Sequence, residues 1–184
     1  ITWGHQNKVI NELEAEKLYS LGRFKEANSK YREAEEVYRS IKISMQSQTL
    51  GDETGIFFIR EMICKRKQFK KFSAARIGSK IIEITTGYGE KLSNIIFTVI
   101  GIIIICMLLY GIEGISYQDK IIGFYSNDFN ILSTLGNLFY FSVVVYSTVG
   151  FGEMVPIGPL GKSIMIFEGI IGGLVLAILI IALY

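Results

Sequence analysis

A stretch of seven residues, Ser147 to Glu153, has the residue types of a backbone segment that binds cations. A cation that loses its water inside a membrane needs replacement oxygens, and main-chain carbonyls facing one axis supply them. Successive carbonyls of an ordinary strand point to opposite sides, so a one-sided row requires positive φ at alternate residues. Gly150 and Gly152 can meet that requirement. The stretch therefore predicts an ion selectivity filter.

In this filter, residues 148–152, each chain would direct the backbone oxygens of Thr148, Val149, Gly150 and Phe151 toward the axis. The Thr148 hydroxyl adds one more oxygen at the inner end, while the side chains of Val149 and Phe151 point away. One chain cannot surround an ion with these oxygens, so a symmetric ring of identical chains is expected. A Gly-rich loop between two buried helices is the alternative interpretation of the same stretch.

Composition and charge divide the chain into two parts. Half of its 184 residues are hydrophobic, yet 20% are charged, which predicts one soluble and one membrane region. Residues 1–91 hold 17 of the 19 Lys and Arg residues and 12 of the 17 acidic residues. Cys64 and Cys106 fall in different parts, so we expect free thiols.

Hydropathy predicts the elements that position the filter. Leu92 to Ile112 is a run of 21 uncharged residues, close to the ~20 needed to cross the hydrocarbon. The 24 uncharged residues from Phe129 to Gly152 are better explained by a half-crossing, capped by Ser133 or Thr134, that returns outward. The expected elements are an outer helix (92–112), a turret (113–132), a pore helix (133–147), the filter (148–152) and an inner helix (162–184).

Glu168 is the single acidic residue of the predicted inner helix. A carboxylate at that depth is costly unless it finds a partner or carries a proton.

Residues 1–75 are expected to form a helical domain in the cytosol. Apolar or small residues recur with helical spacing from Val9 to Tyr38, and Gly22 fits the end of one helix before another starts. This hairpin resembles a tetratricopeptide repeat at Ala15, Leu18, Gly22, Phe24, Ala27, Tyr31 and Ala34. A clean second copy is missing, so two alternatives stay open: a module regulated by a cytosolic peptide or ligand, and a generic helical coat.

A basic segment follows, and residues 76–91 are expected to link it to the membrane region. A helix starting near Asp52, Glu53 or Thr54 ends in the run from Lys65 to Lys71. A basic run before a long apolar span is explained by the positive-inside rule and by anionic lipid, so no nucleic-acid partner is expected. This places the N-terminus in the cytosol. The isoleucines after Arg76 favour a segment lying along the interface.

The order of outer helix, turret, pore helix, filter and inner helix resembles the two-transmembrane potassium channels over residues 92–184. The filter is similar to the family signature Thr-Val-Gly-Tyr-Gly-Asp, with Phe151 for Tyr and Glu153 for Asp. The resemblance implies a homotetramer in a prokaryotic plasma membrane, with potassium as permeant ion and no other cofactor. In the family an acid after the filter is hydrogen-bonded by a pore-helix aromatic, which implies a bond from Tyr140 to Glu153.

The resemblance places Glu168 behind the pore helix, which implies a hydrogen bond to Ser142 or Ser147. It also implies a gating hinge at Gly172, with Gly173 beside it. A close-packing glycine is the alternative for this position. The sequence lacks a convincing catalytic set, so an enzyme is not expected. The predicted fold class is an all-α membrane protein, and three functions follow: a potassium-selective channel, a weakly selective cation channel, or a membrane-anchored helical interaction module.

Overall fold

The computed structural model describes residues 8–47, 51–118, 120–126 and 130–183. The chain divides after Lys91 into two compact units. Residues 1–91 form a helical unit, and residues 92–184 form a unit with two helices long and apolar enough to cross a membrane. The chain is thus an all-α membrane protein, apart from one small sheet described below.

The first unit has four helices and one 3₁₀ turn. Helix α1 (Ile10–Ser20) and helix α2 (Phe24–Ser47) form the expected hairpin, and Gly22 between them has φ +76°. Helix α3 (Gly51–Lys67) already includes the residues expected to cap it. Helix α4 (Ala74–Thr86) is followed by the turn at Gly87–Gly89. The expected boundary between residues 75 and 76 falls inside α4.

The core of the first unit consists of small and aromatic residues from three helices, namely Ala15, Ala27, Tyr31, Ala34, Tyr38 and Cys64. Alanines let the helices approach closely, and the tyrosine rings fill the space between them. Both cysteines of the chain are free, as expected, and burial raises the pKa of the Cys64 thiol to about 12. Glu61 joins α3 to α2, accepting from Lys42 Nζ at 2.7 Å and from Arg39 Nε at 2.9 Å.

Helix α4 starts at a regular cap, because Ser73 Oγ accepts from the Arg76 amide at 3.2 Å. Ile77, Ile81 and Ile84 are exposed along one face of this helix. The opposite contact is polar: Glu83 pairs with Arg66 of α3. The segment expected as a linker is therefore an amphipathic helix attached to the first unit.

The second unit has three helices and three short strands. Helix α5 (Leu92–Glu113) is one residue longer than the expected outer helix. Helix α7 (Pro159–Leu183) begins three residues before the expected inner helix, since Pro suits a helix start. Between them helix α6 (Ile131–Tyr146) has 16 residues, too few to cross a bilayer.

The expected turret was incomplete, because residues 113–132 contain two strands. Strands β1 (Ile115–Tyr117), β2 (Lys120–Ile122) and β3 (Met154–Pro156) form an antiparallel sheet in the order β2-β1-β3. Ser116 lies opposite Ile121 on one side and Val155 on the other. The sheet therefore joins the segment that leaves α5 to the segment that leaves the predicted filter.

Candidate functional site

The predicted filter has an alternating backbone. Thr148, Gly150 and Gly152 have φ values of +56°, +59° and +72°, while Val149 and Phe151 between them do not have positive φ. In an extended strand successive carbonyls point to opposite sides. Positive φ at every second residue cancels this alternation, so successive carbonyls can face the same side. The left-handed conformation was expected at both glycines and extends to Thr148. For a threonine this conformation costs about 1–2 kcal/mol.

Helix α6 ends directly before the predicted filter. Its N-terminus is capped by Asn130, whose Oδ1 accepts from the amides of Leu132 at 3.2 Å and Ser133 at 3.4 Å. The expected cap at Ser133 or Thr134 was wrong. At the other end the Thr148 amide still donates to the Val145 carbonyl at 3.0 Å, so the filter begins where the helix ends. The carbonyl end of a helix carries partial negative charge, which favours a nearby cation.

Glu168 is fully buried and connects three helices. Its Oε1 lies 2.5 Å from Ser142 Oγ of α6, and its Oε2 accepts from the Tyr110 hydroxyl of α5 at 2.7 Å. The expected bond to Ser142 is confirmed, whereas Ser147 Oγ donates to the Val144 carbonyl instead. The Tyr110 ring also packs edge-on against Phe141, with centroids 4.8 Å apart. The helix before the filter is thus held from two sides.

The expected bond between Tyr140 and Glu153 is not formed within the described residues of the single chain. Both residues line a cavity of about 390 Å³ next to the filter, together with Phe151 and Val155. The Tyr140 side chain is 43% exposed there. Tyr140 and Glu153 therefore line the same cavity, but their side chains form no hydrogen bond with each other in the described part of the chain.

The two predicted hinge glycines have different surroundings. Gly172 of α7 packs against the last turn of α6, at the main-chain oxygen of Tyr146. Gly173 has open space where a side chain would start. Within this chain, close packing is therefore the role that the contacts of Gly172 support.

A second carboxylate, that of Glu113 at the start of the expected turret, also joins α5 to α7. Glu113 Oε2 accepts from the Gly161 amide at 2.7 Å. That amide belongs to the first turn of α7, whose donors have no partner inside the helix. Gly158 leaves the room for this carboxylate, because a Cβ at that position would overlap it. The sequence offered two signals for this contact: Glu113 stands two residues before β1, and Gly161 stands in the first turn of an apolar helix.

One comparison with known proteins matches part of this unit. A family model described as "Ion channel" matches residues 115–183. The matched segment runs from β1 through α6 and the filter to the end of α7, and it covers less than half of the chain. Comparison with curated proteins and with solved structures gives no match. The match and the two apolar helices support an ion channel in a membrane.

Proposed function

We propose that the protein is a homotetrameric, potassium-selective channel of the plasma membrane, with its N-terminus in the cytosol. The permeant ion is potassium, and the proposal needs no other cofactor. One observation carries it: the alternating φ values at Thr148, Gly150 and Gly152, directly after a short helix and between two membrane-length helices. Helices α5 and α7 cross the bilayer, and α6 enters it halfway.

The coordinating groups in the proposal are all oxygens. The backbone carbonyls of residues 148–151 form stacked rings around the axis, and the Thr148 hydroxyl forms the innermost site. Oxygen cages of this kind replace the hydration shell of a monovalent cation. Four copies supply each ring, which a single chain cannot close.

The exposure of the filter side chains supports an assembly of several chains. Val149 is 56% exposed and Phe151 is 63% exposed in the single chain, although both are apolar. Val149 and Phe151 belong to the segment whose backbone would line the pore, so their side chains are directed away from the ion path. In the proposed tetramer, neighbouring subunits cover them, and burial of apolar surface stabilises the ring at about 25 cal/mol per Å².

The first unit would act as a cytosolic helical domain. Its basic residues, concentrated from Arg60 to Lys91, fit the cytosolic side of a membrane. A peptide or ligand that binds the α1–α2 hairpin would act as a regulator. This part of the proposal rests on charge and on the resemblance of the hairpin.

The decisive experiment is ion flux from liposomes that contain the purified protein. Potassium flux that exceeds sodium flux supports the proposal. Equal flux of both ions favours a weakly selective channel, for which the replacement of the usual tyrosine by Phe151 is the reason. Absence of flux under every condition would favour the membrane-anchored interaction module.

A matched pair of variants tests the filter itself. Gly150→Ala places a side chain on a residue with φ +59°, where L residues are strained, although the position is open in space. Gly136→Ala adds the same methyl group to an equally open position inside α6. We expect Gly150→Ala to abolish flux and Gly136→Ala to preserve it. Equal flux from both variants would contradict the assigned filter.

A further inference from the structure

Glu168 sits at the centre of a short chain of oxygens. Ser142 Oγ lies 2.5 Å from Glu168 Oε1 and 3.0 Å from the Ile103 carbonyl oxygen of α5. Tyr110 donates its hydroxyl proton to Glu168 Oε2 at 2.7 Å. Three oxygen–oxygen contacts therefore connect helices α5, α6 and α7.

Each of these contacts needs one proton, and the two hydroxyl groups supply two. The carbonyl of Ile103 has no proton to give, and the tyrosine proton is already used at Oε2. The Ser142 proton can occupy one of its two contacts. An ionised Glu168 would take that proton and leave the lone pairs of Ser142 and Ile103 facing each other at 3.0 Å. A proton on Glu168 Oε1 satisfies all three contacts at once.

The surroundings of Glu168 also disfavour a charge. The residue is fully buried, and among the described residues it forms no ion pair with a cation. The titratable groups that face it are Cys106 and Tyr110 from α5 and Tyr146 from α6, all neutral as ordinary side chains. The Cys106 thiol is a weak donor that also hydrogen-bonds Glu168 and brings its own proton, so it does not change the count for the three oxygen–oxygen contacts. A buried carboxylate that has hydrogen-bond partners but no cation beside it still carries a large desolvation cost, and uptake of a proton removes that cost.

We propose that Glu168 is a neutral carboxylic acid and the positioning residue that fixes the helix before the filter to both membrane-crossing helices. Its proton is donated to Ser142, Ser142 donates to Ile103, and Tyr110 donates to Glu168. The role in conduction rests on the proposed function, whereas the charge state does not. Glutamine is the side chain that best imitates this state, since its amide both donates and accepts.

The first test is the infrared spectrum of the protein in a detergent without ester groups. The parent should show the carbonyl band of a protonated carboxyl group at neutral pH, and Glu168→Gln should remove it. Glu113→Gln is the matched control, because Glu113 accepts from a main-chain amide and its loss should leave that band in place. A parent spectrum without the protonated band, or a band that survives Glu168→Gln, overturns the proposal.

The second test measures how long potassium conduction lasts during sustained opening. Glu168→Gln should remain within about twofold of the parent, whereas Glu168→Asp, which is one methylene shorter, should lose conduction about tenfold faster. A glutamine variant as impaired as the aspartate variant would overturn the positioning role. If the parent conducts no potassium, the proposed function fails while the infrared result still decides the charge state.

Discussion

A Cβ atom on Gly172 would lie 2.5 Å from the main-chain oxygen of Tyr146. Tyr146 is the last residue of α6, so the inner helix touches the chain directly before the filter at a point where no side chain fits. A Cβ on the neighbouring Gly173 would have no atom within 4 Å among the described residues, apart from its own helix backbone and its two chain neighbours. Substitutions at these two adjacent glycines can therefore distinguish a close-packing role from a hinge role.

Gly172→Ala should push α7 away from the end of α6, whereas Gly173→Ala should be tolerated. We expect Gly172→Ala to lower the free energy of unfolding by about 1–3 kcal/mol and to reduce conduction. Gly173→Ala should be neutral or stabilising by up to about 1 kcal/mol, since Ala is the better helix former. Thermal unfolding in detergent and open probability in planar bilayers measure both effects. A larger change in open probability at Gly173 would place the hinge there.

The buried tyrosines Tyr110 and Tyr146 provide a second comparison. Tyr110→Phe removes the donor to Glu168, and we expect a loss of about 1–3 kcal/mol of stability, because a buried acceptor is left unpaired. The Tyr146 hydroxyl is buried and has no hydrogen-bond partner within the described residues. Tyr146→Phe should therefore be neutral or slightly stabilising. Equal losses in the two variants, measured by thermal unfolding, would reveal a partner for Tyr146 in the assembled protein.

Substitutions at Tyr140 and Glu153 test the hydrogen bond that the family resemblance implied between these two residues. Since Tyr140 and Glu153 are not bonded in the single chain, Tyr140→Phe and Glu153→Gln should each keep the duration of conduction within about twofold of the parent. A double-mutant cycle on the rate of current loss is the measurement. A coupling of about 1 kcal/mol or more would show that the bond forms, and the parent structure of the assembled channel would then differ at this point.

The stability of the first unit should depend on pH through Glu61. Burial alone raises the pKa of this carboxyl, but hydrogen bonds from Lys42 and Arg39 outweigh burial and lower the pKa below the ordinary value of 4.5. The stabilisation is therefore present above that ordinary value and is lost as the pH falls through the lowered pKa. Hydrogen-exchange protection of α2 and α3 should decrease on acidification below about pH 4.5. Glu61→Gln should show a smaller decrease, and an unchanged decrease would assign the effect to other carboxylates.

Hydropathy and helical periodicity were sufficient to predict the described α-helices other than α4, including the hairpin that turns at Gly22. Most residues of α4 were expected as a linker along the interface. The positive φ values of Gly150 and Gly152 were also predictable, because a one-sided row of carbonyls requires them. The cap at Asn130 could have been predicted from the sequence, since asparagine is a preferred N-cap residue and stands directly before an apolar run. The strands were not predictable, because an alternation cannot be recognised over three residues.

Of the two hydroxyl partners of Glu168, Ser142 could be predicted from the sequence and Tyr110 could not. Ser142 was found because it lies in the segment that the filter follows. Tyr110 was missed because α5 is apolar around its whole circumference, so its sequence does not indicate which face meets the other helices. The contact depends on the rotation of α5 about its axis, and packing between helices sets that rotation.

The pairing of Ser116 with Val155 has a consequence for how the chain is made. During synthesis, β2 follows β1 almost immediately and can pair with one edge of β1. The other edge of β1 stays unpaired until the predicted filter and β3 have been synthesised. An edge of unpaired amides and carbonyls is a site for pairing with other chains. The edge of β1 is therefore open to other chains during synthesis until β3 pairs with it, and β1 then becomes the central strand between β2 and β3.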